Sequence, residues 1–194
     1  MLNSPELVLY VSGAMFSSKT SRMLLEAQNH LYRGRRIIAF KPVIDDRFSP
    51  AEISTHSGMV SLPATRVETG NDIVSEVALH ELADDEVRRT TIVVDELFMV
   101  PGAGDAVVWL HRLGFDVLAS TLDLSSSMQP FHEVAIVLPW ASRVEKCVAA
   151  CAVCQGPARF TWKKTADDEL IQVGGADLYE PRCATCHPSF GSVA

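Results

Sequence analysis

Apolar residues fall in short unbroken blocks, and between the blocks they recur at helical spacing. LVLYV at 7–11 reads as a short buried strand. Residues 20–31 follow with a helical stripe of Met23, Leu24, Ala27 and Leu31, stopped by Gly34. RIIAF at 36–40 predicts a second strand. Residues 41–63 hold many turn-formers and little periodicity, which predicts a long loop with room for a short hairpin. Residues 71–82 predict a helix capped by Thr69 or Asn71. TTIVVD at 90–95 is a β-branched apolar strand ending in an acid. A helix over 104–113, a strand over 115–119 and a further strand over 144–149 complete the series. The strands are apolar throughout instead of alternating. That predicts an α/β fold, a mainly parallel sheet covered by helices on both faces. Past Ala149 the texture changes to paired cysteines, glycines and charges. The predicted organisation is one α/β domain over residues 1–149 and a small C-terminal domain over 150–194.

Composition narrows the class. Hydrophobic residues make up 47% of the 194, enough for a real core, and the net charge is −7. A general nucleic-acid binder would show a basic excess, so no nucleic-acid partner is expected, although a local site can still be positive. No apolar run approaches the roughly 18–20 residues of a membrane helix. The stretch MLNSPELVLYVSG has no basic region and no cleavage-type site, which argues against a signal peptide. The expectation is a cytoplasmic protein with no membrane partner.

Directly after the first strand comes GAMFSSKT, residues 13–20, which nearly spells the phosphate-cradling pattern G-x-x-x-x-G-K-[ST]. Gly13, Lys19 and Thr20 fit. Ser18 stands where the second glycine belongs, and a Cβ there is expected to strain the turn. In a strand–loop–helix context, backbone N–H groups of Ala14, Met15, Phe16, Ser17 and Ser18 can face phosphate at a helix N-terminus. Lys19 adds a full charge, and Thr20 offers a hydroxyl to Mg²⁺. The plain alternative is a strand–turn–helix with Ser17 or Ser18 as N-cap. Asp95 and Glu96 end an apolar strand, as a phosphate loop requires of a neighbouring strand: one acid for the metal, a second for the nucleophile. The alternative is two solvated loop acids.

All five cysteines lie after residue 146. Cys151 with Cys154, and Cys183 with Cys186, form two CxxC pairs 28 residues apart. Two such knuckles supply four thiolates to one tetrahedral ion and close its sphere, so a structural zinc is expected, with a strand hairpin filling the interval. His187 is a substitute ligand only where a cysteine is missing. Cys147 is expected to be a buried strand residue.

In this order the motifs resemble the type II thymidine kinase family over nearly the whole chain. The strings are GAMFSSKT; KPVIDDRFS at 41–49; STHSG at 54–58; Asp95-Glu96; Leu122-Asp123 with Pro130-Phe131; and VGGADLY at 173–179 before the second cysteine pair. The resemblance implies a P-loop NTPase-like kinase domain with a C-terminal zinc ribbon and a lasso closing over the nucleoside. It implies transfer of the ATP γ-phosphate to the 5′-hydroxyl of thymidine with Mg²⁺, by a homotetramer. Glu96 is the implied general base, Asp95 serves the metal, and Asp45 and Arg47 sit near the transferred phosphoryl. Met15, Leu122, Phe131 and Thr161 line the implied base pocket, Gly174 belongs to the lasso, and Tyr179 packs beside the sugar or base. His56 is expected to bond locally. The chain departs from the family's pattern at Ser18, at Leu97-Phe98-Met99, where the aromatic comes one place early, and at the serine run 125–127. Three readings therefore stand: a divergent thymidine kinase, a nucleoside kinase of changed specificity, and a catalytically weak nucleotide-binding regulator. From another class comes a zinc-ribbon ATPase acting on nucleic acid, which also pairs a phosphate loop with Asp-Glu.

Overall fold

The computed structural model describes residues 4–45, 51–55, 58–165 and 173–190. In chain order its body comprises β1 (Leu7–Ser12), α1 (Lys19–Tyr32), β2 (Arg36–Pro42), β3 (Glu52–Ser54), β4 (Ser61–Pro63) and β5 (Thr65–Val67). Then come α2 (Gly70–Ala78), α3 (Asp84–Val87), β6 (Thr90–Val94), α4 (Ala103–Leu113), β7 (Asp116–Leu122), α5 (His132–Val137) and β8 (Arg143–Lys146). Six strands form one sheet in the order β5-β2-β6-β7-β1-β8, with every pairing parallel. The predicted α/β class is therefore observed.

Successive side chains of a strand point to opposite faces, and the core divides accordingly. Leu7, Leu9 and Val11 of β1 join Phe40, Ile92 and Val107 on the face covered by α2, α4 and α5. Val8 and Tyr10 join Met23, Leu24 and Ala27 of α1 on the other face, where Ile53 and Leu62 of the β3–β4 hairpin close the edge.

Several expectations need correction. The acid-bearing β6 is not the neighbour of β1, because β7 lies between them. The inner stripe of α1 ends on buried His30, while Leu31 is exposed. Positions 23, 27 and 30 are one face at 3.6 residues per turn, and the His30 ring meets the Thr91 hydroxyl at 2.8 Å. Helix α2 ends at Ala78, short of the predicted 82, and Glu81 takes a left-handed conformation beyond it. Thr69 is its cap, with the Asp72 carboxylate accepting the Thr69 N–H at 2.8 Å. The strand predicted over 144–149 stops at Lys146 as a mostly exposed edge. Cys147 is buried just past it, its N–H donating to the Val11 carbonyl at 2.8 Å.

After β8 come two further antiparallel pairs. The strands β9 (Ala149–Ala150) and β10 (Pro157–Ala158) pair with each other, as do β11 (Phe160–Lys163) and β12 (Tyr179–Arg182). The second pair is the hairpin expected between the cysteine motifs.

Candidate active site

The carboxyl edge of a parallel sheet is where ligands bind in α/β folds, and the sequence motifs gather there. The loop 13–18 leaves β1 and enters α1. Its backbone is shaped by left-handed conformations at Phe16 and Ser18, with φ of 61° and 62°. The serine thus occupies a turn conformation suited to glycine, and its side chain makes no capping bond to α1. Internal bonds hold the loop: the Ala14 N–H donates to Ser12 Oγ at 3.0 Å, and Ser17 Oγ donates to the Ala14 carbonyl at 2.9 Å. Gly13 is required for a different reason. A Cβ there would stand 2.5 Å from the Arg159 carbonyl oxygen, because the ribbon approaches so closely.

Thr20 Oγ1 donates to Asp95 Oδ1 at 3.0 Å, joining the loop to the end of β6. Ser120 of β7 also donates its hydroxyl to Asp95 Oδ1. Asp95 is 8% exposed. Burial, and then the charge of Glu96, push its carboxyl up from 3.8 to about 6. A buried carboxylate with a half-buried one beside it and a threonine hydroxyl in reach is a fitting donor set for a hard divalent cation, which would relieve that repulsion. Glu96 itself is left-handed, with φ 48° and ψ 47°. A non-glycine residue so placed is a form of strain common at functional sites.

One pocket is lined by the loop residues 15–20 together with Lys41, Asp45, Asp95 and Glu96. Asp45, predicted near the transferred phosphoryl, is 4% exposed and belongs to this pocket. Arg47 and His56 lie outside the described residues. Lys41 was missed as a site residue: it is 3% exposed, lines the pocket, and its Nζ donates to the Glu52 carbonyl at 3.3 Å. Its signal was present, since a lysine ending an apolar strand is an odd choice for a buried position. Ser120 was missed too, a hydroxyl at the inner end of β7.

The residues expected at the base pocket are gathered less tightly. Leu122 and Phe131 are buried in the helical-face core, with Met15 packed against it. Phe131 meets Phe98 at 4.5 Å between ring centroids, so the displaced aromatic has a wall to pack on. The serine run closes on itself, Ser125 Oγ lying 2.9 Å from Ser127 Oγ and accepting the Gln129 N–H at 3.1 Å. Tyr179 is buried at the start of β12, and its N–H donates to the Gly175 carbonyl at 3.0 Å, beside Gly174. Thr161 has another task beside any role at the base. Its hydroxyl accepts the Met15 N–H at 3.0 Å and donates to the Gly13 carbonyl at 2.8 Å, tying β11 to the phosphate loop.

The sulfur atoms of Cys151, Cys154, Cys183 and Cys186 all lie within 4.8 Å of one another. The Cys183 N–H points at Cys151 Sγ at 3.4 Å. Converging thiolates with a backbone N–H turned to sulfur fit a tetrahedral soft-metal site, so the cluster is compatible with zinc. His187 stands apart from them. Its Nδ1 accepts the Ser189 N–H at 3.2 Å, so its Nε2 carries the proton and donates to the Thr161 carbonyl at 3.3 Å.

Comparison with known proteins agrees with this geometry. The family model described as thymidine kinase matches residues 6–187. The chain is also similar to the thymidine kinase of Mesoplasma florum, with 33% identity over 184 residues, 91% of this chain and 89% of that protein. A phosphate loop bonded to an acidic strand end, a four-cysteine ribbon and a match across nearly the whole length lead to one statement: the chain belongs to the thymidine kinase family.

Proposed function

We propose that the protein transfers the γ-phosphate of ATP to the 5′-hydroxyl of thymidine, giving thymidine monophosphate. The observation that carries this reading is the Thr20–Asp95 hydrogen bond of 3.0 Å, which draws the phosphate loop and the acids into one pocket. The N–H groups of the loop and the N-terminus of α1 bind the triphosphate, and Lys19 adds charge on its β- and γ-oxygens. Thr20 and Asp95 would hold Mg²⁺, which when bound neutralises the charge that builds on those oxygens. Ser120 keeps Asp95 aimed. Glu96 takes the proton from the 5′-hydroxyl and must come within about 3 Å of it, directly or through one water. Asp45 and Arg47 act near the transferred phosphoryl, where the guanidinium stabilises its developing charge. Lys41 adds a second fixed cation on that side of the pocket.

The nucleoside is held by the lasso and the apolar wall. Gly174 and its neighbours offer backbone groups to the thymine edge, Tyr179 packs beside the sugar or base, and Met15, Leu122, Phe131 and Thr161 line the base side. One structural zinc, held by Cys151, Cys154, Cys183 and Cys186, fastens both ends of the lasso. In this reading residues 1–149 are the kinase body and 150–194 the ribbon and lasso. The working form is a homotetramer in the cytoplasm, which sedimentation of the purified protein would test. No helix among the described residues is long and apolar enough to cross a membrane.

The test is formation of thymidine monophosphate from thymidine, ATP and Mg²⁺ by zinc-replete protein. Product with thymidine but not with other nucleosides is expected. In the same assay Glu96→Gln should lose about two orders of magnitude or more in kcat while ATP affinity is retained. Undiminished turnover in that variant would remove Glu96 from the chemistry.

A further inference from the structure

At the opposite edge of the sheet the fold builds a second, unrelated concavity. The segments that enter β2, β6 and β7, together with the end of α1, bring Arg33, Arg35, Arg88, Arg89 and Arg112 around one pocket of about 620 Å³. The volume is in the range of small-ligand sites. Among the described residues two carboxylates line it, Glu6 and Asp116. Asp116 is already engaged: Oδ2 pairs with Arg35 at 2.6 Å, and Oδ1 accepts the Glu6 N–H at 2.8 Å.

Arg35 is a structural residue, also bonded to the Thr91 hydroxyl at 3.0 Å and the Thr90 carbonyl at 3.3 Å. Arg112 lies over the Trp140 ring at 5.6 Å. Arg33, Arg88 and Arg89 are exposed, and their guanidinium groups have no carboxylate partner among the described residues. Cations are favoured at helix C-termini, which accounts for Arg33 after α1 and Arg112 in the last turn of α4. It does not account for Arg88 and Arg89 together, since α3 is a single turn and its dipole is small. A chain of net charge −7 has thus gathered five arginines at one mouth against two carboxylates. Guanidinium groups are suited to phosphate because two N–H donors match two phosphate oxygens.

We propose that this arginine-lined pocket is a second anion site that binds the phosphate chain of a polyphosphate ligand, separate from the phosphate loop. The sheet sets the two sites apart. The strand β7 has seven residues and therefore spans roughly 20 Å between them. The chemistry fits either a nucleoside triphosphate or inorganic polyphosphate.

The test is calorimetric titration of full-length, zinc-replete protein with inorganic tripolyphosphate at low salt. Two equivalents per chain are expected. The double variant Arg88→Ala with Arg89→Ala changes only exposed side chains that have no carboxylate partner among the described residues. It should weaken the second equivalent about tenfold or more, while leaving the first equivalent and the KM values for thymidine and ATP unchanged. Lys19→Ala should do the reverse, losing the loop equivalent and keeping the distal one. In Lys19→Ala, tighter binding of ATP than of tripolyphosphate would assign the site to a nucleotide, and equal binding to the phosphate chain alone. Thermal melting checks that both variants fold. A single equivalent on the parent protein, abolished by Lys19→Ala, would overturn the proposal, as would an arginine variant that keeps both.

Discussion

Asp95 is held under electrostatic tension by its burial and by the charge of Glu96. Its folded-state value of about 6 lies above the usual 3.8, so the fold binds this proton more tightly than the unfolded chain does. Stability of the metal-free protein should therefore be highest below about pH 4 with respect to this group, and fall as pH rises through 6. Asp95→Asn keeps an oxygen for Thr20 and Ser120 while removing the charge. We expect its metal-free melting temperature at pH 7 to rise by about 5 °C, with the gain fading as pH falls toward 4, and its phosphoryl transfer to be lost. A gain independent of pH would remove Asp95 as its source. Ser18 sits in a left-handed turn that disfavours a Cβ, so Ser18→Gly should keep or raise turnover. A sharp fall in kcat would mean that the hydroxyl has been recruited to phosphate. Both residues stood out in the sequence, one as a strand-end acid and one as a break in a glycine pattern. Lys41 and Ser120 were given no site role, because a lone polar residue near the end of an apolar strand also looks like the strand simply ending.

Among the elements, the central strands were legible because burial on both faces leaves an unbroken apolar run. The pieces that escaped notice were short or half-exposed: β5, α3 and α5 carry too few residues for a period to register. The inner stripe of α1 was misread at one position because hydropathy favours Leu31 over His30, while geometry and a hydrogen bond to Thr91 favour the histidine. The placement of β7 between β1 and β6 left no local trace, since strand order depends on crossovers. Gly13 shows the same limit. The motif explains it as a phosphate-loop glycine, but the structure adds that the Arg159 carbonyl, just before β11, needs the space. Gly13→Ala should therefore push the ribbon off the loop, costing about 2 kcal/mol or more in thermal unfolding. Unchanged stability and ATP affinity would mean that the ribbon shifts freely at that contact.

At the scale of the molecule, the four-cysteine ribbon packs on the phosphate loop, Ala14 lying in one buried cluster with Ala149, Cys151 and Ala158. Thr161 fastens the two together, with one hydroxyl serving two backbone groups of the phosphate loop and its carbonyl held by His187, next to Cys186. Removing the metal with a chelator should therefore reach past the lasso to the donor site. We expect ATP affinity to fall about tenfold on zinc removal, and Thr161→Val with zinc retained to reproduce much of that fall. If chelated protein bound ATP normally while losing thymidine, the ribbon would govern the nucleoside alone. The expected result has a practical reading. If the two substrates share one fastening, damage at the cysteines would weaken the hold on ATP as well as idle the acceptor site, and the damaged enzyme would sequester less of a cell's phosphate donor.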